Sequence, residues 1–577
     1  MTEDEAAALP EAQAATRNGL IDRIRRAMRG GVRSPIAQSL LALAIYTAAW
    51  TFFTALPLVL HLTRPQLYPV SPDPNFYVWS MRWWPYALAH GLNPLHPTVI
   101  GAPHGYRLAW TNSTPTLALL FAPLTLAVSP VATFNLLVVL SLPLSAWAAF
   151  VLCRRLTGRF WPAFAGGAIY GFSAYEMNHI TAGQLNLAVS AFFPIMAYLA
   201  VRWLQRDLSS RVFVGLLAVA MLAQFLMSVE LFADMTAVGV AALVLGVVTA
   251  TPETRPRVVR LAGLVGVAYI ATVIVASPYI AFAFAHVPSR FAHFSQLTSV
   301  DLAGTVVPRP GQTLGIGWLA RTAARLRLAA LDGYMGIPLL GVVAAAAVSM
   351  RGRRSTRFLL VLLALVVLGA LGPRLRIDGR AVGSLPWGGL WHLPVARSAF
   401  PARLMVFAFL ILAVVLALWL RGPSKRAWAR WAVAGLVLAS VGGNAPGLIT
   451  SSSFTVPPFF TDGTYRRLLA PGDTVLVVPD YGNEGMLWQA QTDMYMRLTG
   501  GFVGVGLTPR FGQQRVVSDL AGRRLTPRAT RRFRSFLRRT SVAAVLVDVR
   551  HPGRWPAILP KLGYRGRATG GLIFYRI

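Results

Sequence analysis

The sequence predicts an all-α polytopic membrane bundle of about eleven transmembrane helices, followed by a small extracytoplasmic α/β domain. Three observations predict it. The 577-residue chain is 55% hydrophobic and only 13% charged, with a mean hydropathy of +0.54; a soluble chain of this length would carry far more charge. Its apolar residues come in long runs between residues 38 and 447, each able to cross about 30 Å of hydrocarbon, and the runs stop near residue 450. Its arginines alternate between dense and sparse loops.

Residues 1–34 are polar, acidic at first and then arginine-rich (Arg17, Arg23, Arg25, Arg26, Arg29, Arg33), which reads as a cytoplasmic tail and not as a signal peptide. Spans are expected at 38–62, 131–152, 159–176, 184–204, 212–229, 231–250, 259–285, 334–350, 357–372, 402–420 and 428–447. Dense cations at Arg154/Arg155/Arg159, Arg202/Arg206/Arg211, Arg255/Arg257/Arg260, Arg351/Arg353/Arg354/Arg357 and Arg421/Lys425/Arg426/Arg430 belong in the cytoplasm of a bacterial plasma membrane. Segments 63–130, 175–183, 229–235, 286–333 and 373–401 then lie outside. Residues 113–129 are apolar enough to cross but contain Pro115 and Pro123. A crossing there would turn every later arginine loop outward, so a juxtamembrane or re-entrant helix buried against protein is expected.

The bundle thus occupies 35–449, with long outer loops at 63–130, 286–333 and 373–401, and the α/β domain occupies 450–577. A Ser/Pro-rich linker at 451–458 leads into it. Apolar runs at 474–479, 542–548 and 572–576 read as strands, and 484–497 and 526–539 as helices.

The net charge of +34 does not indicate nucleic acid, because the cations are spread over short loops and no nucleic-acid motif is present. Lys425 and Lys561 are the only lysines, a bias that fits a GC-rich genome. Cys153 is the only cysteine, which excludes an internal disulfide, a CxxC pair and a cysteine zinc site. TVLVVP (474–479) is not followed by GxGxxG, and no P-loop, HExxH or GxSxG occurs.

Acids beside a bilayer are costly and concentrate at working sites. Of 21 acids, those outside the tail, the C-terminal domain and the cytoplasmic positions Asp207 and Glu253 all fall on the outer side: Asp73, Glu176, Glu230, Asp234, Asp301, Asp332 and Asp378. The first outer loop adds Trp79, Trp83, Trp84 and His90 behind Asp73. Residues 75–90 read as an amphipathic interfacial helix, which either anchors the loop or lines a site. Asp73 with Pro74 also fits a helix N-terminus. Glu230 and Asp234 share a face if their helix is continuous, and serve either an acceptor or a solvated turn. His286, Arg290 and His293 open the long loop 286–333. A phosphate needs outward cations, and Arg64, Arg82, Arg107, Arg290, Arg309, Arg397 and Arg403 qualify. Arg397 and Arg403 flank the start of a span at headgroup depth. The arginine-rich face at Arg528, Arg531, Arg532, Arg534, Arg538 and Arg539 reads as a surface for an anionic glycan or lipid headgroups, or as a plain solvated face.

An early Asp after the first span, then W-x3-W (Trp79, Trp83), Ala87–Leu88 and G-x-N-P (Gly91–Pro94), resembles the GT-C superfamily of membrane glycosyltransferases, and within it a broad bacterial group. NLLVVLSLPLSAWAAFVLCRRLTG (135–158), YGFSAYEMNHITAGQLNL (170–187), GYMGIPLL (333–340), RSAFPARL (397–404) and VLVVPDYGNEGMLWQAQTDMYMRLTGGF (475–502) extend the resemblance. It implies an inverting transferase that moves a sugar from a polyprenyl-phosphate donor to a cell-envelope glycan or lipid acceptor. It makes Asp73 the general base and Glu176 the second acidic position. Donor phosphate would fall to Arg397, Arg403 and Arg107. Substrate contacts would fall to Trp79, Trp83, His90, His179, Glu230 and Asp234. Asp73, Glu176 and His179 could hold a divalent ion such as Mg or Mn, or Glu176 could simply end a helix. The rival readings are a transporter or flippase of a lipid-linked intermediate, which predicts mid-membrane acids in broken helices, and a non-catalytic envelope scaffold.

Overall fold

The computed structural model describes residues 34–64, 73–288, 298–308, 321, 332–386, 388–389, 399–441, 456–479, 483–504, 516–517, 519–520 and 525–577. Each expected span overlaps a helix among the described residues, residues 442–447 of the last lying outside them, and seven of these stretches are long and apolar enough to cross a membrane. They are α1 (Pro35–Leu60), α5 (Pro130–Thr157), the stretch Leu185–Leu204 that contains α8 (Phe192–Leu204), α9 (Ser210–Met227), α10 (Val229–Thr249), α11 (Arg255–Ala285) and the stretch Pro401–Arg421 that contains α14 (Met405–Arg421). The other four are shorter: α6 (Phe160–Gly171), α12 (Gly336–Ser349), α13 (Arg354–Ala370) and α15 (Ala427–Val441). The chain is a multi-pass membrane protein.

Helix α14 is buried along most of its length, and α5 and α6 close on it through small residues. A Cβ on Gly166 would come within 2.8 Å of the Ala413 carbonyl and 2.9 Å of Cys153 Sγ; one on Gly171 would come within 2.5 Å of the Ala146 nitrogen. Glycine is what lets these backbones approach, the usual device where hydrocarbon surrounds the helices. Cys153 is free and buried in this seam, a small apolar residue. Val240, Val244, Val248, Ile270 and Ile274 stand uncovered on α10 and α11, the surface that lipid would meet.

Residues 113–129 form two six-residue helices, α3 (Pro115–Leu120) and α4 (Ala122–Ala127). Both pack against α2 (Asp73–Ala89). Helix α2 corrects the expectation of an interfacial helix. Phe76, Tyr77, Val78, Trp79, Met81, Trp83, Trp84 and Ala87 are all buried. A helix that is apolar around its whole circumference belongs inside protein. Here the bundle covers one side and the C-terminal domain the other.

That domain holds a five-stranded sheet in the order β4-β3-β5-β7-β6, with β3 (Thr474–Val477), β4 (Arg497–Leu498), β5 (Val542–Asp548), β6 (Gly566–Thr569) and β7 (Leu572–Arg576). β3 pairs in parallel with β4 and β5, whereas β7 is antiparallel to β5 and β6. The two-residue period sorts its side chains between two cores. Val475, Val477, Ala544, Leu546, Leu572 and Phe574 share a core with α2 and with α16 (Glu484–Gln491). Leu476, Val545, Val547 and Tyr575 point the other way, under α17 (Pro527–Arg539). A separate hairpin, β1 (Arg374–Ile377) with β2 (Arg380–Ser384), sits after α13. The strands β1, β2, β4 and β6 carry too little apolar pattern to be expected from sequence.

The first long loop joins the domain through main chain. Leu498 N donates to the Val99 carbonyl (2.8 Å), Ala102 N to the Leu498 carbonyl (2.9 Å) and Gly101 N to the Gly500 carbonyl (3.0 Å).

Candidate active site

Asp73 opens α2, where the positive end of the helix dipole favours a carboxylate. Its Oδ2 accepts a hydrogen bond from Gln184 Nε2 at 2.8 Å. Because Gln184 spends its NH2 there, its Oε1 is the acceptor for His179 Nδ1, also at 2.8 Å. His179 Nε2 in turn lies 3.6 Å from Asp332 Oδ2. Asn178 Nδ2 donates to the other oxygen of Asp332. A chain Asp73–Gln184–His179–Asp332 therefore ties α2 to α7 (Ala174–Thr181) and to the residues before α12.

One turn into α2, Tyr77 donates its hydroxyl to Asn186 Oδ1. Burial pushes the Tyr77 hydroxyl well above the usual tyrosine range; the Asp73 carboxylate pushes the same way and the Arg403 guanidinium opposes it. Asp73, Tyr77 and Arg403 thus share one electrostatic neighbourhood. Arg403 is buried, ion-paired with Glu230 and stacked on Phe400, its Cζ 3.9 Å from the ring centre. Glu230 Oε1 also accepts from Phe400 N at 3.3 Å. Glu230 and Asp234 do share a face, because α10 runs unbroken from Val229, capped by Ser228.

Tyr175, on α7, lies within electrostatic reach of Glu176, Arg403, Asp332 and Asp234. Its hydroxyl, Asn186 Nδ2 and Asp234 Oδ2 are buried and find no partner among the described residues. Polar atoms left unpaired inside a bundle are costly unless a ligand meets them.

The remaining expected site residues are placed elsewhere. Glu176 is fully buried and accepts from Ser190 Oγ, in a seam where Ser190 N meets Ser145 Oγ (3.2 Å) and Tyr170 donates to the Ser190 carbonyl (3.0 Å). It takes no part in the Asp73 chain; the second acid there is Asp332. Trp79 and Trp83 stack at 5.4 Å inside the core, with Trp79 Nε1 on Gln489 Oε1 (2.6 Å) and Trp83 Nε1 on the Pro94 carbonyl (2.8 Å), so neither offers a face to a substrate. His90 follows the far end of α2, about 25 Å from Asp73 at 1.5 Å per residue, and stacks on Tyr86. Arg107 is exposed on the loop that docks against β4 and does not join the network. Arg397, Arg290, Arg309 and His293 lie outside the described residues.

Asp73, Glu176 and His179 do not form a metal-binding set. No three His, Cys, Asp or Glu side chains converge suitably among the described residues. Glu176 faces Ser190, and Gln184 stands between Asp73 and His179.

No protein-family model matches the sequence, and no curated protein matches it. Solved structures do match its fold. The arabinofuranosyltransferase AftD from Mycobacteria superposes over 93% of this chain with a TM-score of 0.59 and 15% identity. The archaeal oligosaccharyltransferase AglB from Archaeoglobus fulgidus, solved with an inhibitory peptide and a dolichol-phosphate, covers 93% with a TM-score of 0.53 and 12% identity. ArnT from Cupriavidus metallidurans, solved with undecaprenyl phosphate, covers 94% with a TM-score of 0.50 and 12% identity. All three are GT-C glycosyltransferases. The chain has the GT-C fold. It spans 40% of the length of AftD, 74% of AglB and 98% of ArnT. Gln184, Asp332, Tyr77 and Asn186 were not assigned roles from sequence. The density of amides at Asn178, Gln184 and Asn186, between two apolar runs, was the available clue.

Proposed function

We propose that this chain is an inverting GT-C glycosyltransferase of a bacterial plasma membrane. It moves a sugar from a polyprenyl-phosphate donor to a cell-envelope glycan or lipid acceptor on the outer face, with its N-terminus cytoplasmic and its C-terminal domain extracytoplasmic. The observation that carries the reading is the Asp73 carboxylate, held by Gln184 and sharing its neighbourhood with a buried arginine. Two structures of the same fold hold polyprenyl phosphates, which supports the donor class.

In this reading the acceptor hydroxyl attacks the anomeric carbon while Asp73 takes its proton. A new C–O bond forms as the bond from that carbon to the phosphate oxygen breaks. The electron pair leaves with the polyprenyl phosphate, and a single displacement inverts the anomeric centre. Arg403 meets the charge growing on the leaving phosphate, since a guanidinium has five donors and Glu230 does not use them all. The unpaired atoms of Tyr175, Asn186 and Asp234 are the polar contacts that sugar hydroxyls would satisfy.

The test compares purified wild type with Asp73→Asn on a panel of polyprenyl-phosphate sugars and crude envelope acceptor, with and without EDTA. The variant is expected to fold and to lose about 10²–10⁴-fold in rate. Undiminished transfer by Asp73→Asn would remove Asp73 from the chemistry. Inhibition by EDTA would assign a divalent ion to ligands other than Asp73, Glu176 and His179. Flipping of lipid-linked sugar in liposomes without transfer would replace the transferase by a flippase.

A further inference from the structure

Helix α17 has six arginines in thirteen residues and no acid. Its apolar residues Phe533, Phe536 and Leu537 are buried on the sheet. Arg528, Arg531, Arg532, Arg538 and Arg539 are all exposed and recur at helical spacing on the opposite side, in a stripe about 16 Å long. Among the described residues none of these five makes an ion pair. Arg534 Nη2 donates to the Leu562 carbonyl at 2.9 Å, which brings the turn carrying exposed Lys561 alongside.

The layers of the molecule decide which way the stripe looks. From the bundle outward come α2 with α3 and α4, then α16 and the sheet, then α17. The two cores meet opposite faces of the sheet, so α17 is the layer farthest from the bundle, with its arginines pointing away from it. A helix that served a bilayer would instead present its cations on the side of the membrane. A stripe of unpaired guanidiniums at intervals suits a long partner with regularly spaced anions, each taken through paired hydrogen bonds.

We propose that the outward face of α17 binds a linear acidic polysaccharide. The orientation of this face toward the cell envelope rests on the topology proposed above; the charge and layering do not. Binding would hold the protein on an anionic envelope polymer through a surface separate from the Asp73 site.

The full chain in phosphatidylcholine nanodiscs would be titrated with fluorescent polygalacturonate, with neutral dextran as control, beside the quadruple variant Arg531→Gln, Arg532→Gln, Arg538→Gln, Arg539→Gln. Unchanged circular dichroism and melting would show the variant folded, since all four side chains are exposed. Wild type is expected to bind polygalacturonate and not dextran, to weaken as salt rises, and to bind about tenfold or more tightly than the variant. Equal binding by the two proteins would overturn the proposal. Capture by phosphatidylglycerol vesicles with no binding of polygalacturonate would also overturn it, in favour of a bilayer. Binding is read without turnover, so a failure of the transferase reading leaves this result standing. Labelling of Ser535→Cys by a membrane-impermeant maleimide in intact cells tests the topology separately.

Discussion

Gln184 is the residue on which the geometry of the proposed base turns. An amide can donate and accept at once, so it fixes Asp73 on one side and reads the orientation of His179 on the other. Gln184→Leu keeps the volume and removes both bonds. It is expected to lower kcat by about 10²-fold, the usual cost of a reacting group displaced by about 1 Å, with KM for the donor little changed. A change in KM alone, measured by steady-state kinetics on one donor, would make Gln184 a binding residue. Arg403→Ala is expected to cost about 10²–10³-fold in kcat if the guanidinium faces the leaving phosphate. Arg403→Lys should recover only part of this, because an ammonium lacks the planar fork. Glu176→Gln preserves a partner for Ser190 and should leave transfer at the wild-type level; a large loss would return Glu176 to the reaction.

At the scale of the element, α2 connects function to stability. Its first turn carries Asp73, and its middle carries the Trp79–Trp83 stack that the C-terminal domain covers. Gln489 satisfies Trp79 Nε1 and donates to the Val99 and Met496 carbonyls (2.8 and 2.7 Å). Trp79→Ala should destabilise the protein by about 3–5 kcal/mol, as for large-to-small changes in cores. Gln489→Ala should cost about 1–3 kcal/mol for each buried group left unpaired. Thermal melting of the detergent-purified variants checks both, and a melting point equal to wild type would show that the two domains hold together without this contact. Hydrophobic pattern alone placed α2 correctly as a helix. Its tryptophans read as interfacial because a Trp-rich helix beside a span satisfies the same pattern whether lipid or protein covers it.

At the scale of the whole molecule, the bundle and the C-terminal domain share one core through α2. A chain cut after residue 449 would expose Trp79, Trp83 and the neighbouring apolar residues to water. It is expected to aggregate, read by fluorescence size-exclusion against full-length protein. A monodisperse truncated chain that still transfers sugar would show that α2 is held by the bundle alone.

Composition and hydrophobic period by themselves located the helical segments and the three principal strands of the C-terminal sheet, whereas Asp73 stood out only through the likeness of its loop to a known superfamily. The helices and strands are properties of single segments, set by hydropathy and period, and need no knowledge of neighbours. Only the tertiary structure decided what the polar residues meet. It joined Asp73 to Gln184, His179 and Asp332, turned Glu176 into a separate serine seam, gave Arg403 to Glu230 and put Trp79 against Gln489, 410 positions away. Such pairings follow from how helices pack and loops return, and residues far apart in a chain carry no local pattern that announces them.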